Sequence, residues 1–409
     1  MSKLDELIVE FSPQGVQYKK LGEIATISRG GNFQKKDYVE QGIPCIHYGQ
    51  IYTYYGLFIN ETISYISEEL AQKQKMAVTN DVIMAVTSEN IDDVCKCIAW
   101  LGECKVAVSG HTAIIHHNQN PKYMVYYLRS SMFYKQKVKI AHGTKVIEVT
   151  PDKLANITIP IPPLEVQNEI VRILDIFTEL TTELITELTT ELTARGKQYE
   201  YYSNKILCFE GVPYYSLEEL CEIVDYRGKT PQKVDDGIFL VTAKNIRKGY
   251  IDYEKSAEYI DERDYEEVMH RGIPQIGDVL ITTEAPCGNV AQVDRENIAL
   301  AQRVIKYRSK TTILNNDYLK YILLGKEFQK KLSVAATGGT VKGIKGSKLH
   351  KLTIPVPDIE RQKEIVNILK QFDVFYNSII MGLTAEIEAR QKQYEYYRDK
   401  LLTFKELSK

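Results

Sequence analysis

The sequence lacks what would mark a membrane protein, a secreted protein or a self-sufficient enzyme. No apolar run approaches the ~18 residues needed to cross a bilayer, so no membrane partner is expected. The opening Met-Ser-Lys-Leu-Asp-Glu carries acids where a signal peptide has a basic and then an apolar region, and a cytoplasmic location is expected. Seven cysteines, an odd number without pattern, fit reduced thiols rather than a disulfide framework. The net charge of −2 announces no polyanion partner, although a local basic patch matters more than the total. There is no G-x-G-x-x-G loop, and the Gly- and Lys-rich stretch at 337–346 lacks Walker A spacing. The Asn-Pro-Pro-Tyr or Asp-Pro-Pro-Tyr of amino-methyltransferases is missing, as is H-E-x-x-H. Cys95, Cys97, Cys104, His111, His116 and His117 are metal-ligand types, but their spacing matches no zinc module. Cys95 and Cys97 are expected on one face of a strand as small apolar residues, and no metal is expected.

What is present is a long repeat. Glu165, Gln167, Glu169, Ile170, Val171, Ile173 and Leu174 return as Glu360, Gln362, Glu364, Ile365, Val366, Ile368 and Leu369. Ala-Arg-x-Lys-Gln-Tyr-Glu-Tyr-Tyr at 194–202 returns at 389–397 with the same offset as Gln167 to Gln362, so the copies match in length without a gap. Both advance by mostly alternating fours and threes: Ile170, Leu174, Phe177, Thr181, Leu184, Leu188, Leu192, Arg195, Tyr199, Tyr202 and Ile206; then Ile365, Leu369, Phe372, Tyr376, Ile379, Leu383, Ile387, Arg390, Tyr394, Tyr397 and Leu401. Such steps place side chains on one helical face and argue for a coiled-coil seam. Each helix is expected to run about 43 residues, roughly 64 Å at ~1.5 Å per residue. Neither can bury its stripe alone. The simplest solution pairs them; a helix pair inside one large core is the competing reading, and the Glu-, Thr-, Lys- and Gln-rich flanks suit an exposed rod better.

With 409 residues, 44% hydrophobic and 26% charged, the chain is long enough for two to three ordinary globular domains. Residues 1–12 read as a short helix. Ile43–Tyr48, Asp81–Val86, Val94–Trp100 and Ala113–His117 read as strands, and Tyr123–Val138 as a helix. The second half repeats the plan more loosely: 212–223 follows 16–27, 237–246 follows 42–51, and Gly277-Asp-Val-Leu follows Asn80-Asp-Val-Ile. The proline-rich stretches at 159–163 and 354–357 read as extended hinges, with Pro163 at a helix start and Asp358 a candidate cap. Near-identity in the helices beside divergence in the domains implies one job done twice and another done in two versions. Thr178-Glu-Leu-Thr, Thr182-Glu-Leu-Ile, Thr186-Glu-Leu-Thr and Thr190-Glu-Leu-Thr form four tandem tetrads absent from the second helix. They are either helix filler or a ruler, each adding ~6 Å of rise and about 40° of turn.

Polar loops recur in matching places. Arg29, Asn32, Lys35 and Lys36 follow the opening helical turn of the first domain; Arg227, Lys229 and Thr230 follow that of the second. Gln50 matches Lys244 and Asn245, Ser88 and Asn90 match Thr283, His111 matches Gln302 and Arg303, and Lys145 matches Lys342. Each loop taken alone reads as well as a plain surface loop. As a set they suit DNA, since Arg and Lys neutralise phosphate or read guanine, and Asn and Gln read adenine.

The chain resembles a specificity subunit of a type I restriction–modification system (HsdS) over nearly its whole length. The resemblance is carried by Ile-Pro-x-Pro…Gln-x-x-Ile-x-x-Ile-Leu at 159–174 and 354–369, and by Arg-x-x-Gln-Tyr-x-Tyr-Tyr at 195–202 and 390–397. Gly228-Lys-Thr-Pro, Gly237-Ile…Asn245-Ile, Gly277-Asp-Val-Leu and Gly288-Asn-Val add to it, while Gly30-Gly-Asn-Phe departs from the pattern. The resemblance implies an α/β (α+β) fold: two related mixed α/β target recognition domains, separated by two long antiparallel coiled-coil helices, in a pseudo-two-fold repeat. The expected divisions are a recognition domain at 1–158, a helical spacer at 159–208, a second recognition domain at 209–353 and a second spacer at 354–409. It implies a chain without catalysis that reads double-stranded DNA bearing a bipartite sequence. Leu174, Phe177, Leu184, Leu188, Tyr199, Leu369, Phe372, Ile379, Leu383 and Tyr394 would form the seam and bind two modification (methyltransferase) subunits. Two restriction subunits would join. No cofactor is implied for this chain; S-adenosylmethionine, ATP and magnesium belong to the partners. A coiled-coil scaffold binding only protein is the alternative, and an orphan methyltransferase or nuclease would need a motif that is not visible.

Overall fold

The computed structural model describes residues 2–226, 231–338 and 342–407. The chain divides into two compact units, Met1–Thr189 with Thr384–Lys409, and Thr190–Leu383. The boundary cuts through both long helices, Leu164–Ile206 and Ile359–Leu401, each of 43 residues. Each unit therefore holds a globular domain, the first half of one long helix and the last half of the other.

The first unit is built on a five-stranded sheet in the order Ala25–Arg29, Thr112–His117, Val82–Ala85, Cys97–Trp100, Phe58–Ile59. A second five-stranded sheet runs through Ile43–Ile46 and Val106–Val108. The second unit has two four-stranded sheets, one of them ordered Cys221–Asp225, Val304–Ser309, Val279–Thr283, Cys287–Gln292. The shared x-Asp-Val motif has a physical role in both. Asn80 and Gly277 take φ of +74° and +92°, and the following carboxylate closes the turn. Asp81 accepts from Val78 N–H at 2.8 Å and Asp278 from Gln275 N–H at 2.9 Å. Each buried carboxylate then faces basic side chains: Asp81 has His116 at 2.7 Å, and Asp278 has Arg308 at 2.6 Å with Lys306 at 3.7 Å. A buried carboxylate holds its charge only when satisfied in this way.

The domain-to-helix junction is the most closely repeated part. Gln167 and Gln362 are fully buried at the start of the long helices. The amide oxygen of Gln167 accepts from Asn120 N–H at 3.0 Å, and its nitrogen donates to Pro162 O at 2.8 Å. Gln362 repeats this with Asn315 N–H at 2.9 Å and Pro357 O at 2.8 Å. Tyr123 donates to Pro160 O, and Tyr318 to Pro355 O, both from buried positions. The prolines thus serve because they lack an N–H while their carbonyls are collected by buried donors. Asp358 accepts from Arg361 N–H at 2.9 Å and caps the second helix.

In the first unit Leu402, at the end of the second long helix, shares the core with Val166, Ile170 and Leu174 at the start of the first. The helix segments there run antiparallel, with Phe177 stacked on Tyr397 at 6.0 Å and Thr178 hydrogen-bonded to Tyr394 at 3.0 Å. In the second unit Tyr199 stacks on Tyr376 at 4.4 Å and on Phe372 at 5.1 Å, again antiparallel. Leu174 and Leu369 are fully buried, whereas Leu184, Leu188, Ile379, Leu383 and Tyr394 are half-buried. Phe177, Tyr202 and Tyr397 are exposed by 40%, 45% and 41%, so the inward stripe there passes instead through Thr178, Ser203 and Arg398. Aromatic rings at these turns reach the seam from its rim.

Four expectations are corrected. The proline-rich stretches are not hinges: Thr158–Ile161 pairs antiparallel with Gln17–Lys20, and Thr353–Pro355 with Tyr214–Ser216. The helix expected at 123–138 is two, Pro121–Leu128 and Ser131–Ile140, because the backbone turns extended at buried Ser130, whose hydroxyl accepts from Phe133 N–H and caps a new helix. The strand expected at 43–48 ends at Ile46, since His47 caps a helix at Tyr48–Thr53. Cys95 has φ of +68° and lies outside the strand Cys97–Trp100, so the two cysteines do not share a strand face. Both are nonetheless core groups, and burial pushes their thiols up to about 12 and about 11. No helix among the described residues is long and apolar enough to cross a membrane.

Candidate nucleic-acid interface

In the first unit antiparallel pairing brings three loop segments to one end of the central sheet. Arg29 ends its strand opposite Ala113, while Ala85 pairs with Thr112, so Thr87 and His111 lie at the same end. Gly30 is required there, because a Cβ would stand 2.1 Å from Ser109 O. That close approach holds the Arg29 segment against the loop bearing His111.

These segments and the capped helix enclose a cleft of about 740 Å³. Arg29, Asn32, Lys36 and His111 line it together with Phe33, His47, Tyr48 and Ser109. Arg29 donates through Nε to Gly110 O at 2.8 Å, and its Nη2 lies 3.0 Å from Glu148. Tyr48 sits between two imidazoles, 4.5 Å from His47 and 5.0 Å from His111 by ring centres, and its N–H donates to Ser109 Oγ at 3.0 Å. His111 Nδ1 and Thr87 Oγ1 are 3.1 Å apart. Burial, and then the charges of Lys35 and His111, lower the His47 pKa. The arrangement offers hydrogen-bond donors above an aromatic floor, with cationic groups at the rim. Lys35 and Lys145 are exposed, Lys145 on the turn spanned by the His142–Glu148 bridge.

Lys35 and Lys145 do not line the cleft, and three further candidates of this unit also lie outside it. Gln50 is buried and spent: its oxygen accepts from His47 N–H at 2.8 Å and its nitrogen donates to Ser64 Oγ at 2.6 Å. That corrects the reading of Gln50 as a base contact. Asn90 closes on Asp93 through both amide atoms, at 2.7 Å each. Ser88 is half-buried in a two-residue strand paired with Ile147–Glu148.

The second unit repeats the framework with other side chains. Thr283 N–H donates to Arg303 O at 2.9 Å and Ile344 N–H to Thr283 O at 3.0 Å. The first unit has the same pair, Val86 N–H to His111 O at 2.9 Å and Val149 N–H to Val86 O at 3.0 Å. The turn bridged by Thr337 and Gly343 matches the one bridged by His142 and Glu148. Arg303 thus stands where His111 does, at φ of +70°, with Nε 3.1 Å from Glu284. Gln302 is half-buried and engaged, and Thr283 Oγ1 donates to Arg303 O at 3.3 Å. Lys244 and Lys342 are exposed. Asn245 is the second correction: fully buried, it accepts from Thr242 N–H and donates to Asp252 O and Ser256 O, leaving nothing for a base. Arg227, Lys229 and Thr230 lie outside the described residues.

Sequence reasoning missed His47 and Glu148 as parts of these sites, and missed that Glu284, in the matched polar stretch Thr282-Thr-Glu284, pairs with Arg303. His47 was hidden inside the strand expected at 43–48, and only the helix start at Tyr48 reveals its capping place. The glutamates matter as partners of Arg29 and Arg303, and no spacing announces that. Among the described residues no group of three or more His, Cys, Asp or Glu is placed to hold a metal ion.

A family model described as type I restriction modification DNA specificity domain matches residues 13–194 and 210–389. A putative type I restriction enzyme specificity subunit of Haemophilus influenzae is 32% identical over 315 residues, covering 73% of this chain and 77% of that protein. The type I restriction enzyme EcoR124I/EcoR124II specificity subunit of Escherichia coli is 39% identical over 274 residues, 60% of this chain and 63% of that one. A chain solved in work on complex assembly and conformational transition of the type I R-M system superposes with a TM-score of 0.72 at 19% identity, over 95% of this chain and 98% of its own length. The HsdS subunit from Thermoanaerobacter tengcongensis gives 0.51 at 18% identity, over 96% and 97%. At such identities these two bear on the fold alone.

Proposed function

The chain belongs to the family of type I restriction–modification DNA specificity subunits, and from that premise we propose that each of its units reads one half of a bipartite double-stranded DNA site. The observation that carries this reading is the recurrence of one loop framework in both units with different side chains mounted on it, His111 with Arg29 in one and Arg303 in the other. A duplicated frame with exchanged polar side chains suits two sequences read by one geometry. Arg and Lys at the rims serve the phosphates, and base edges are left to the side chains within. Two half-sites also multiply discrimination, since mismatch costs of ~1–3 kcal/mol roughly add.

On this reading residues 1–158 and 209–353 are the recognition domains, and the long helices set the unread spacer, with the tetrads of the first as its ruler. One tetrad, ~6 Å of helix, corresponds to between one and two base-pair steps of ~3.4 Å. The helices also present apolar side chains to solvent: Ile176 and Leu180 on the first, Val374, Phe375 and Met381 on the second. Such residues suit protein partners. The partners are two modification subunits, bringing S-adenosylmethionine, and two restriction subunits, bringing ATP and magnesium chemistry, in the cytoplasm. This chain supplies the address and no catalytic step.

The test is co-expression with a modification subunit and single-molecule mapping of adenine methylation. A split motif with an unread spacer supports the reading. A stable complex that methylates without a split motif would sink it and favour the protein-only scaffold.

A further inference from the structure

The cleft of the first unit contains a donor whose direction is settled by the fold. His47 caps the helix Tyr48–Thr53, and its Nδ1 accepts the Gly49 N–H at 3.2 Å. A nitrogen that accepts an N–H carries no proton, so the neutral ring bears its hydrogen on Nε2. Turning the ring over would forfeit the cap. Tyr48 packs against the same ring at 4.5 Å, and Gln50 holds the His47 backbone N–H at 2.8 Å. His47 is therefore a pre-oriented donor on the wall of the cleft, beside His111 and Tyr48.

We propose that His47 is a specificity-determining residue of the first half-site, its Nε2–H donating to an acceptor on the major-groove edge of one base pair. The proposal rests on the DNA-reading role above and deepens it. The acceptor is a purine N7, a guanine O6 or a thymine O4, the acceptors that groove offers. Phosphate is the less fitting ligand for this ring. The cationic groups around the cleft are Arg29, Lys35 and Lys36, and they suit phosphate better. Burial, with Lys35 and His111 nearby, disfavours a charge on His47, leaving a neutral dipolar donor. Asp37, the acid lining the cleft, is engaged by Gln34 N–H at 2.7 Å. The second unit offers Arg303 at the place of His111, so the two half-sites are read by different chemistry on one frame.

The experiment compares methylation maps from cells co-expressing a modification subunit with the natural chain or with His47→Asn. Asparagine keeps a cap acceptor for Gly49 N–H but cannot reach as far as Nε2. The expected result is an unchanged second half-site and an unchanged spacer, with discrimination at one position of the first half-site reduced roughly tenfold or more. An unaltered motif overturns the proposal while leaving the bipartite reading standing. A natural chain that yields no split motif overturns both. Thermal melting of the variant complex separates folding from reading: an unchanged melt with methylation lost at all sites places His47 in affinity rather than discrimination and also overturns the proposal. Should the melt fall, His47→Gln, with a longer amide, is mapped in its place against the same two outcomes.

Discussion

The two units agree where they hold a helix and differ at the open ends of their central sheets. At the junction the agreement is close: a buried glutamine, a tyrosine on a proline carbonyl and an asparagine cap recur. Only the glutamine's other donation differs, to Gln119 Oε1 in one unit and Ile313 O in the other. At the open end of the sheet the backbone bonds persist, but His111 becomes Arg303 and Glu148 becomes Gly343. Between these extremes lies the helix seam, where one polar contact has changed character. Tyr126 and Tyr394 meet on the Thr178 hydroxyl, at 3.1 and 3.0 Å. Tyr321 and Tyr199 meet on the Asp373 carboxylate, the first at 2.6 Å. Duplication has kept the buried junction, whose partners lie within the chain. On the proposed reading, the loops that face DNA have been free to change.

The largest effect is expected at the junction. Gln167→Leu and Gln362→Leu each strand a buried N–H and a buried carbonyl, and each should cost about 3 kcal/mol or more. Chemical denaturation read by hydrogen exchange, unit by unit, should give similar losses for the two; a loss in only one would break the equivalence. A smaller and unequal effect is expected at the seam. Asp373→Ala leaves two tyrosine hydroxyls without a charged acceptor, costing about 2 kcal/mol, whereas Thr178→Ala should cost about 1 kcal/mol. Equal losses would remove the distinction drawn between the two clusters.

The last effect is one of pH and is absent at neutrality. Burial lowers His117 from 6.5 to about 4, and Ser309 stands at the matching strand end in the second unit. The folded state resists protonating His117, so the unfolded chain binds the extra proton first. Stability of the first unit is therefore full above pH ~6.5 and declines as pH falls toward about 4, while the second unit lacks this term. His117→Ser should flatten that slope, by on the order of 2 kcal/mol at pH 4. Exchange rates of first-unit peptides between pH 4 and 7 measure it, and an unchanged slope would contradict it.

Much of this is legible in the sequence. The constant offset and the heptad-like steps set the length of both helices, and the x-Asp-Val motif marked equivalent turns. Those features are local or repeated, so one copy checks the other. The site was legible only in part. Gln50 and Asn245 are of the residue types that read bases, but the same amides close turns, and only their burial among backbone partners tells the uses apart. His47 escaped notice because its role depends on which nitrogen its own helix occupies. The break between Leu128 and Ser131 was hidden by apolar residues that continue through it.

The central claim is that the helices measure and the domains read. It is tested most directly by removing one tetrad, residues 186–189, and mapping methylation beside the natural chain. The account predicts the same two half-sequences with a changed number of unread bases between them. A changed half-sequence, or an unchanged spacer, would contradict it.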